Sequence, residues 1–511
     1  MNIFDNLLMG FGVALSWEAL LYCFIGVTLG TFIGVLPGLG PMVTIGMLLP
    51  ITYYLDPTSA IIMLAGIYYG SQYGNSTASI LLNLPGTSAG AVTCLDGHPL
   101  ALQGRAGSAL FMTTIASFFG SCFGIIVLAS LAPVLANFAL QFGPTEYFAL
   151  MLLGLIAAAI LVRDSLVRGL VSVLLGLLLG LVGTDIYSGS PRFTFGFLKL
   201  SDGIGLVPIA TGVFGVALIM ANAGRHVVNG STEKLGWRSM MPGPGDVRRS
   251  ILPMFRGASI GSILGMLPGA GPTISTFIAY ATEKKIARDP SRFGRGAIEG
   301  VAAPEASNNA ASQTGFVPTL TLGVPGDPVM AVMLGALMIH GVPPGPMLLV
   351  DHAPLFWGLV ASFFIGNLLL LILNIPLIGL WVQLLKVPYG LLYPMIISFV
   401  CIGVYSINNS VFDVGLVMAF GLFGYMMLLL SIEPAPMLLG FILAPMIEEN
   451  FRRSLILSRG DFMTFVETPI SGGLIALSAL LLGWIIISDF YPKKTQVPNQ
   501  DAGKENSGGQ D

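Results

Sequence analysis

Apolar residues dominate Ala14–Leu36, Leu110–Leu131, Tyr147–Val162, Leu166–Val182, Phe356–Leu385, Leu391–Tyr405, Leu416–Ile432 and Ile470–Ile487. Most of these runs approach or exceed the roughly 17–25 residues that carry a helix across about 30 Å of hydrocarbon. A membrane β-barrel would instead alternate apolar and polar residues in strands of about ten. The pattern predicts an all-α polytopic membrane protein with about 10–14 membrane segments.

The apolar pattern is interrupted twice in the same way. Gly26–Pro41 reads GVTLGTFIGVLPGLGP and Gly257–Pro272 reads GASIGSILGMLPGAGP, at an offset of 231 residues with eight of sixteen positions identical. Three glycines four apart allow close helix approach in lipid. Pro37-Gly38-Leu39-Gly40-Pro41 and its twin cannot continue a regular helix. At membrane depth such a break is tolerated only inside protein or beside a watery cavity, which makes both breaks functional candidates. The plainer reading is a tight turn at the membrane surface. The repetition predicts an internal duplication.

A dense polar cluster follows each break. Ser71, Gln72, Asn75, Ser76, Thr77 and Asn83 sit in an apolar frame, and Ser307, Asn308, Asn309, Ser312, Gln313 and Thr314 echo them. Ala60–Gly90 reads as a re-entrant helical hairpin with the cluster at its tip, where helix ends present free N–H groups to an anion. A polar seam joining helices is the alternative. Leu84-Pro85-Gly86 matches Val324-Pro325-Gly326 at offset 240, and Gly97-His98-Pro99 matches Gly341-Val342-Pro343 at 244. At the latter offset Arg163 and Arg168 align with the uncharged Ile407 and Phe412. Equivalent loops therefore differ in basic content, as in two repeats of inverted topology.

Composition fixes the solvent and the boundaries. Hydrophobic residues make up 54% and charged residues 10%, with a mean hydropathy of +0.83; a soluble domain carries about 25% charged residues. A net charge of −3 is too small to imply a nucleic-acid partner. The four cysteines lack paired spacing and read as small buried hydrophobes. The N-terminus lacks the basic start of a cleaved signal peptide. Residues 1–222 form a first membrane repeat, 223–256 a basic cytoplasmic linker, 257–490 a second repeat and 491–511 a disordered cytoplasmic tail.

The motifs GVLPGLGP, YYGSQYGNSTASILLNLPG, DGHPLALQGRAG, GMLPGAGP, EKK…FGRGAIEGVAAPEASNNAASQTGFVPTLTLGVPGDP and GALMIHGVPPGP resemble the TctA family. The likeness covers the chain to about residue 490. It implies the large permease subunit of a bacterial tripartite tricarboxylate transporter in the cell inner membrane. Its partners would be a small four-helix TctB-like membrane subunit and a periplasmic TctC-like solute-binding protein. Its activity would be cation-coupled, secondary active uptake of citrate or another carboxylate. The chain departs from the expected small residues at Ser71-Gln72 and Ser312-Gln313, so Gln72 and Gln313 are candidates for tuning the cargo.

In this reading two broken elements meet near the midplane. Pro37, Gly38, Gly40, Pro268, Gly269 and Gly271 would lend backbone carbonyls and helix ends. Gln72, Asn75, Ser76, Thr77, Asn83, Ser307, Asn308, Asn309, Gln313 and Thr314 would hold carboxylate oxygens and a coupling cation. No base lies in these motifs; Arg105 and Arg295 are the nearest outside them. Neutral oxygens favour sodium over protons as the coupling ion, and no cofactor, catalytic group or resident metal is expected. Glu305 and Asp327 are candidate proton relays, or helix caps at the membrane edge. Gly257–Gly261 matches the Gly-x-Ser-x-Gly of hydrolases, but it enters an apolar helix rather than a strand–turn–helix elbow. A passive channel or structural membrane protein is the alternative function.

Overall fold

The computed structural model describes residues 3–36, 40–160, 166–185, 187–222, 240–267, 271–384 and 389–490. The first half contains α1 Ile3–Ala14, α2 Trp17–Val35, α3 Pro41–Thr52, α4 Pro57–Leu82, α5 Ala91–Leu102, α6 Ala106–Ala139, α7 Pro144–Ile160 and α8 Leu166–Gly180. A two-stranded antiparallel ribbon, β1 Gly183–Thr184 and β2 Pro191–Arg192, pairs Gly183 with Arg192. Helix α9 Leu206–Ala210 passes through a π-helical turn, Thr211–Val216, into α10 Ala217–Asn222.

The second half opens with α11 Pro244–Gly265, α12 Gly271–Ile286, α13 Glu299–Thr314, α14 Phe316–Leu322 and α15 Pro328–Ile339. It continues through α16 Leu348–Asp351, α17 Ala353–Asn374, α18 Ile378–Leu384, α19 Tyr389–Asn408, α20 Val411–Leu429, α21 Pro434–Leu457, α22 Thr464–Glu467 and α23 Pro469–Phe490. Four described helices, α2, α6, α17 and α20, are long and apolar enough to cross a bilayer alone, and eight shorter apolar helices accompany them. Of the expected linker, 244–256 is the first part of α11 and 223–239 lies outside the described residues, as does the tail from 491.

Local chemistry explains where the helices start. Asp56 Oδ2 accepts from the N–H groups of Thr58 (3.0 Å) and Ser59 (3.3 Å), with Pro57 in the first turn of α4. Asp327 and Pro328 repeat the arrangement at α15. A side chain that accepts these orphan N–H groups, followed by a proline that needs no donor, is a strong start signal.

The helical hairpin expected over Ala60–Gly90 does not form with its tip at the polar cluster. Helix α4 runs for 26 residues straight through Ser71–Ser79. Ser71 Oγ donates back to Tyr68 O at 2.7 Å, so its hydroxyl is satisfied without breaking the helix. The chain turns later, at Asn83, which adopts the left-handed conformation (φ 56°). The second cluster is likewise the body of α13: Ser312 Oγ donates to Asn308 O (2.9 Å) and Thr314 Oγ1 to Ala310 O (3.1 Å). Its turn comes at Gly323 (φ 69°), the residue 240 positions after Asn83. Ser, Thr, Asn and Gly favour turns in water, but a segment shielded from water keeps its backbone bonded internally.

The paired glycine helices pack identically. A Cβ added to Gly26, Gly30 or Gly34 of α2 would lie 2.4, 2.5 and 2.2 Å from the carbonyl oxygens of Met63, Ile67 and Ser71 of α4. Added to Gly257, Gly261 or Gly265 of α11, it would lie 2.2, 2.2 and 2.5 Å from those of Ala303, Ser307 and Ala311 of α13. Only glycine permits such backbone contact. The offsets are 231 in the glycine helix and 240 in its partner, so α13 is the structural counterpart of α4.

This register also corrects the echo between the polar clusters. Ser307, Asn308 and Asn309 stand where the first half has Ile67, Tyr68 and Tyr69, and Gln313 stands where it has Tyr73. The two clusters are about one helical turn out of step. Along the contact between α4 and α13, Tyr68 faces Ser312, and beyond it Phe316 at the start of α14, whereas Ser76 faces Glu305. Residue numbers rise on one helix as they fall on the other.

Candidate functional site

The described ends of the two breaks, and the loops after α4 and α14, line one cavity of about 510 Å³. From the first half it is lined by Gly40 and Pro41 at the start of α3, by Tyr68 and Gln72 of α4, and by Pro85–Ala89. From the second it takes Pro272 and Thr273 in the first turn of α12, and Asp327–Val329 at the start of α15. Phe214 of the π-helical turn and Glu433 before α21 complete the wall. Ser88 Oγ and Thr273 Oγ1 lie 2.7 Å apart and join the two halves at its edge.

Among the described residues the lining has no lysine or arginine. Helix starts supply the positive ends: Gly40 leaves the N-terminus of α3 without a side-chain cap, and Thr87 does the same for the turn that leads into α5. The first N–H groups of a helix carry a partial positive charge, although here Pro41 has none and Val43 N–H donates to Gly40 O at 3.2 Å. Asp327 fills the N-terminus of α15 itself. Its Oδ1 accepts from the N–H groups of Val329 (2.8 Å) and Met330 (3.0 Å), and its Oδ2 accepts from the Tyr68 hydroxyl at 2.7 Å. Thr87 and Asp327 are 240 residues apart, and both are extended N-cap residues, with φ/ψ of −129°/161° and −150°/171°. The shorter Thr87 leaves Oγ1 without a partner. Gln72, only 4% exposed, lines the same cavity with Oε1 unpartnered.

The other expected site residues have different positions. Pro37, Gly38, Pro268 and Gly269 lie outside the described residues. Gly271, in the left-handed conformation (φ 48°), heads α12 with a would-be Cβ 3.1 Å from Asp327 Cβ. Asn75 stands behind the first loop, where its Oδ1 accepts from Thr87 N at 2.8 Å. Asn83 is an exposed cap that ends α4, a conformational role. Ser76, Thr77, Ser307, Asn308, Asn309, Gln313 and Thr314 are buried but do not line the cavity. Asp327, offered as a proton relay or a cap at the membrane edge, caps a helix start inside the cavity. Glu305 is 1% exposed in a separate polar nest. Arg105 pairs with Asp246 at 2.6 Å, and neither it nor Arg295 reaches the lining.

Tyr68, Thr87, Ser88, Thr273, Phe214 and Glu433 line the site and were not singled out from the sequence. For Thr87 a signal existed: the match of Pro85-Gly86 with Pro325-Gly326 carries on to Asp327. Phe214 and Glu433 reach the cavity from distant helices and left no local trace.

A sequence profile of the tripartite tricarboxylate transporter TctA family matches residues 20–439. The uncharacterized 52.8 kDa protein of the TAR-I ttuC′ 3′ region of Agrobacterium vitis is 48% identical over 500 residues, covering 97% of this chain and 99% of its own length. A second Agrobacterium vitis protein, from the TAR-II ttuC′ 3′ region, is 49% identical over 241 residues, which are 47% of this chain and all of its own. An uncharacterized protein of Methanocaldococcus jannaschii is 26% identical over 206 residues, 40% of this chain and 48% of its own. No solved structure matches. With helices able to cross a bilayer and a profile match over most of its length, this chain belongs to the tripartite tricarboxylate transporter TctA family.

Proposed function

We propose that this chain is the translocating subunit of a tripartite transporter and takes up carboxylates by a cation-coupled, secondary active mechanism. A periplasmic TctC-like binding protein delivers the cargo, and a small TctB-like subunit completes the assembly in the bacterial inner membrane. The observation that carries the reading is the cavity built from both copies of one loop-and-break motif. The opposed running of α4 and its counterpart α13 supports two inverted repeats, the arrangement in which alternating access works around a fixed midplane site.

Chemistry supports the cargo class. The protein's own carboxylate, Asp327, occupies the N-terminus of α15, while the equivalent first-half position holds only Thr87 with a free hydroxyl. A cargo carboxylate docks at the Thr87 loop, near the open start of α3, with Gln72 as a neutral donor. The same geometry supports coupling. Asp327 and Glu433 line the cavity, and at 4 Å and an effective dielectric of about 20, each pair of like charges costs about 4 kcal/mol. An anion therefore enters far more readily with cations than alone, and neutral oxygens favour sodium. Departure of Gln72 from the expected small residue supports a role in cargo choice.

Uptake into proteoliposomes containing the assembled transporter, its binding protein and a carboxylate panel tests this. Uptake should need an imposed sodium gradient and stop when that gradient is dissipated. Equal flux with every ion gradient collapsed would instead favour a passive channel.

A further inference from the structure

Glu305 lies away from the cavity, in the middle of α13. Its Oε1 accepts from Thr93 Oγ1 at 2.5 Å and its Oε2 from Ser117 Oγ at 3.3 Å. Ser76 of α4 faces the same carboxylate with its Oγ unpartnered, although the residue is only 2% exposed. One turn along α13, Asn309 donates to Glu305 O at 3.0 Å, and its Oδ1 has no partner. No ion pair among the described residues includes Glu305. A carboxylate buried among membrane helices needs a neutralising partner.

The nest and the cavity share one face of α4, where Gln72 lines the cavity and Ser76, one turn on, faces Glu305. The opposed register of α4 and α13 sets Tyr68 against Ser312 and Ser76 against Glu305, which brings Asn308 level with Gln72. Gln72 Oε1 and both side-chain polar atoms of Asn308 are buried without partners. Unpartnered polar atoms thus recur on the facing helices, at Gln72 and Ser76 of α4 and at Asn308 and Asn309 of α13.

We propose that Glu305, with the hydroxyls of Ser76, Thr93 and Ser117, forms a binding site for one dehydrated monovalent metal cation of the sodium class. Hard cations take oxygen ligands, and each hydroxyl keeps an acceptor lone pair for the ion. A single carboxylate balances a single charge. Magnesium retains much of its water, and calcium takes six to eight oxygens, several usually from carboxylates. The shared face of α4 sets the ion one helical turn from the wall of the cavity in which the cargo docks. The inference rests on the transport reading for its purpose, but ion binding is measured without cargo.

The test uses the purified full chain in lipid nanodiscs at constant pH and ionic strength, with sodium replacing choline. The melting temperature should rise saturably with sodium, and radioactive sodium should bind. Ser76→Ala should raise the half-saturating sodium about tenfold, and Glu305→Gln should abolish both signals. If Glu305→Gln does not fold, Ser76→Ala and Ser117→Ala carry the test alone. No sodium effect on the wild-type chain, unchanged half-saturation in both serine variants, or a response to pH alone would overturn the site. Absent sodium binding, together with carboxylate uptake that persists when the same chain is assembled in proteoliposomes, would overturn the cation site and leave the transport reading standing.

Discussion

Two loops of matching sequence meet at the cavity, and Thr87 in one against Asp327 in the other sets their charge apart. The loop after α14 brings Asp327, which satisfies the first N–H groups of its own helix and takes the Tyr68 hydroxyl. The loop after α4 brings Thr87 in the same extended conformation, with nothing on its hydroxyl. A duplicated frame can thus hold an internal anion on one side and leave the matching place on the other side open. Under the proposed mechanism, identical halves would either repel the cargo twice or leave Glu433 as the cavity's remaining carboxylate.

The largest expected effect comes from erasing this difference. Thr87→Asp should keep the fold, because Asp327 already adopts that conformation, yet lower carboxylate affinity about a hundredfold through ~3 kcal/mol of like-charge repulsion. Binding titrations on the purified variant measure this, and unchanged affinity would detach the first loop from cargo binding.

The halves are also tied together outside the cavity. Asp96 of α5 accepts from the N–H groups of Gly294, Gly296 and Ala297 at 2.8–2.9 Å and from the Tyr280 hydroxyl at 3.0 Å. Asp96→Ala removes the acceptor of four donors, of which the Ala297 N–H is buried, and should cost about 1–3 kcal/mol, seen as a lower unfolding midpoint.

The glycine helices give a matched pair of tests. Gly34→Ala and Gly265→Ala each push a methyl into a backbone carbonyl. Each should cost about 1–3 kcal/mol, and the two should be similar if the copies are structural equals. The smallest effect is a pH dependence. The Tyr187 backbone N–H, Ser188 and the Arg452 guanidinium hold the Asp185 carboxylate down at about 2. A depressed carboxylate stabilises the folded chain above its unfolded value of about 3.9, and that contribution fades as the pH falls toward 2. Asp185→Asn should flatten the acid limb of a melting curve slightly.

Much of this frame was legible. The spacing of Gly26, Gly30 and Gly34 and its repetition at 231 residues predicted close helix contacts, and the same carbonyl packing occurs twice. The polar clusters misled, because Ser71–Ser79 has turn-forming composition yet is helical. Composition does not reveal that α2 and α4 pack so closely that a Cβ at Gly34 or Gly74 would lie 2.2 Å from Ser71 O or Thr31 O. Register misled too, since Asn308 resembles Asn75 in type while standing at the place of Tyr68. Glu433 and Phe214 came from long-range packing that no local pattern encodes.

The central claim is that both copies of the motif wall one cavity. Disulfide trapping tests it most directly, using Ser88→Cys with Thr273→Cys in a chain whose four native cysteines are replaced by alanine. These positions have side-chain oxygens 2.7 Å apart across the halves. The account predicts rapid cross-linking that stops carboxylate uptake and is reversed by reductant. Failure to cross-link, or full uptake in the cross-linked protein, would contradict it.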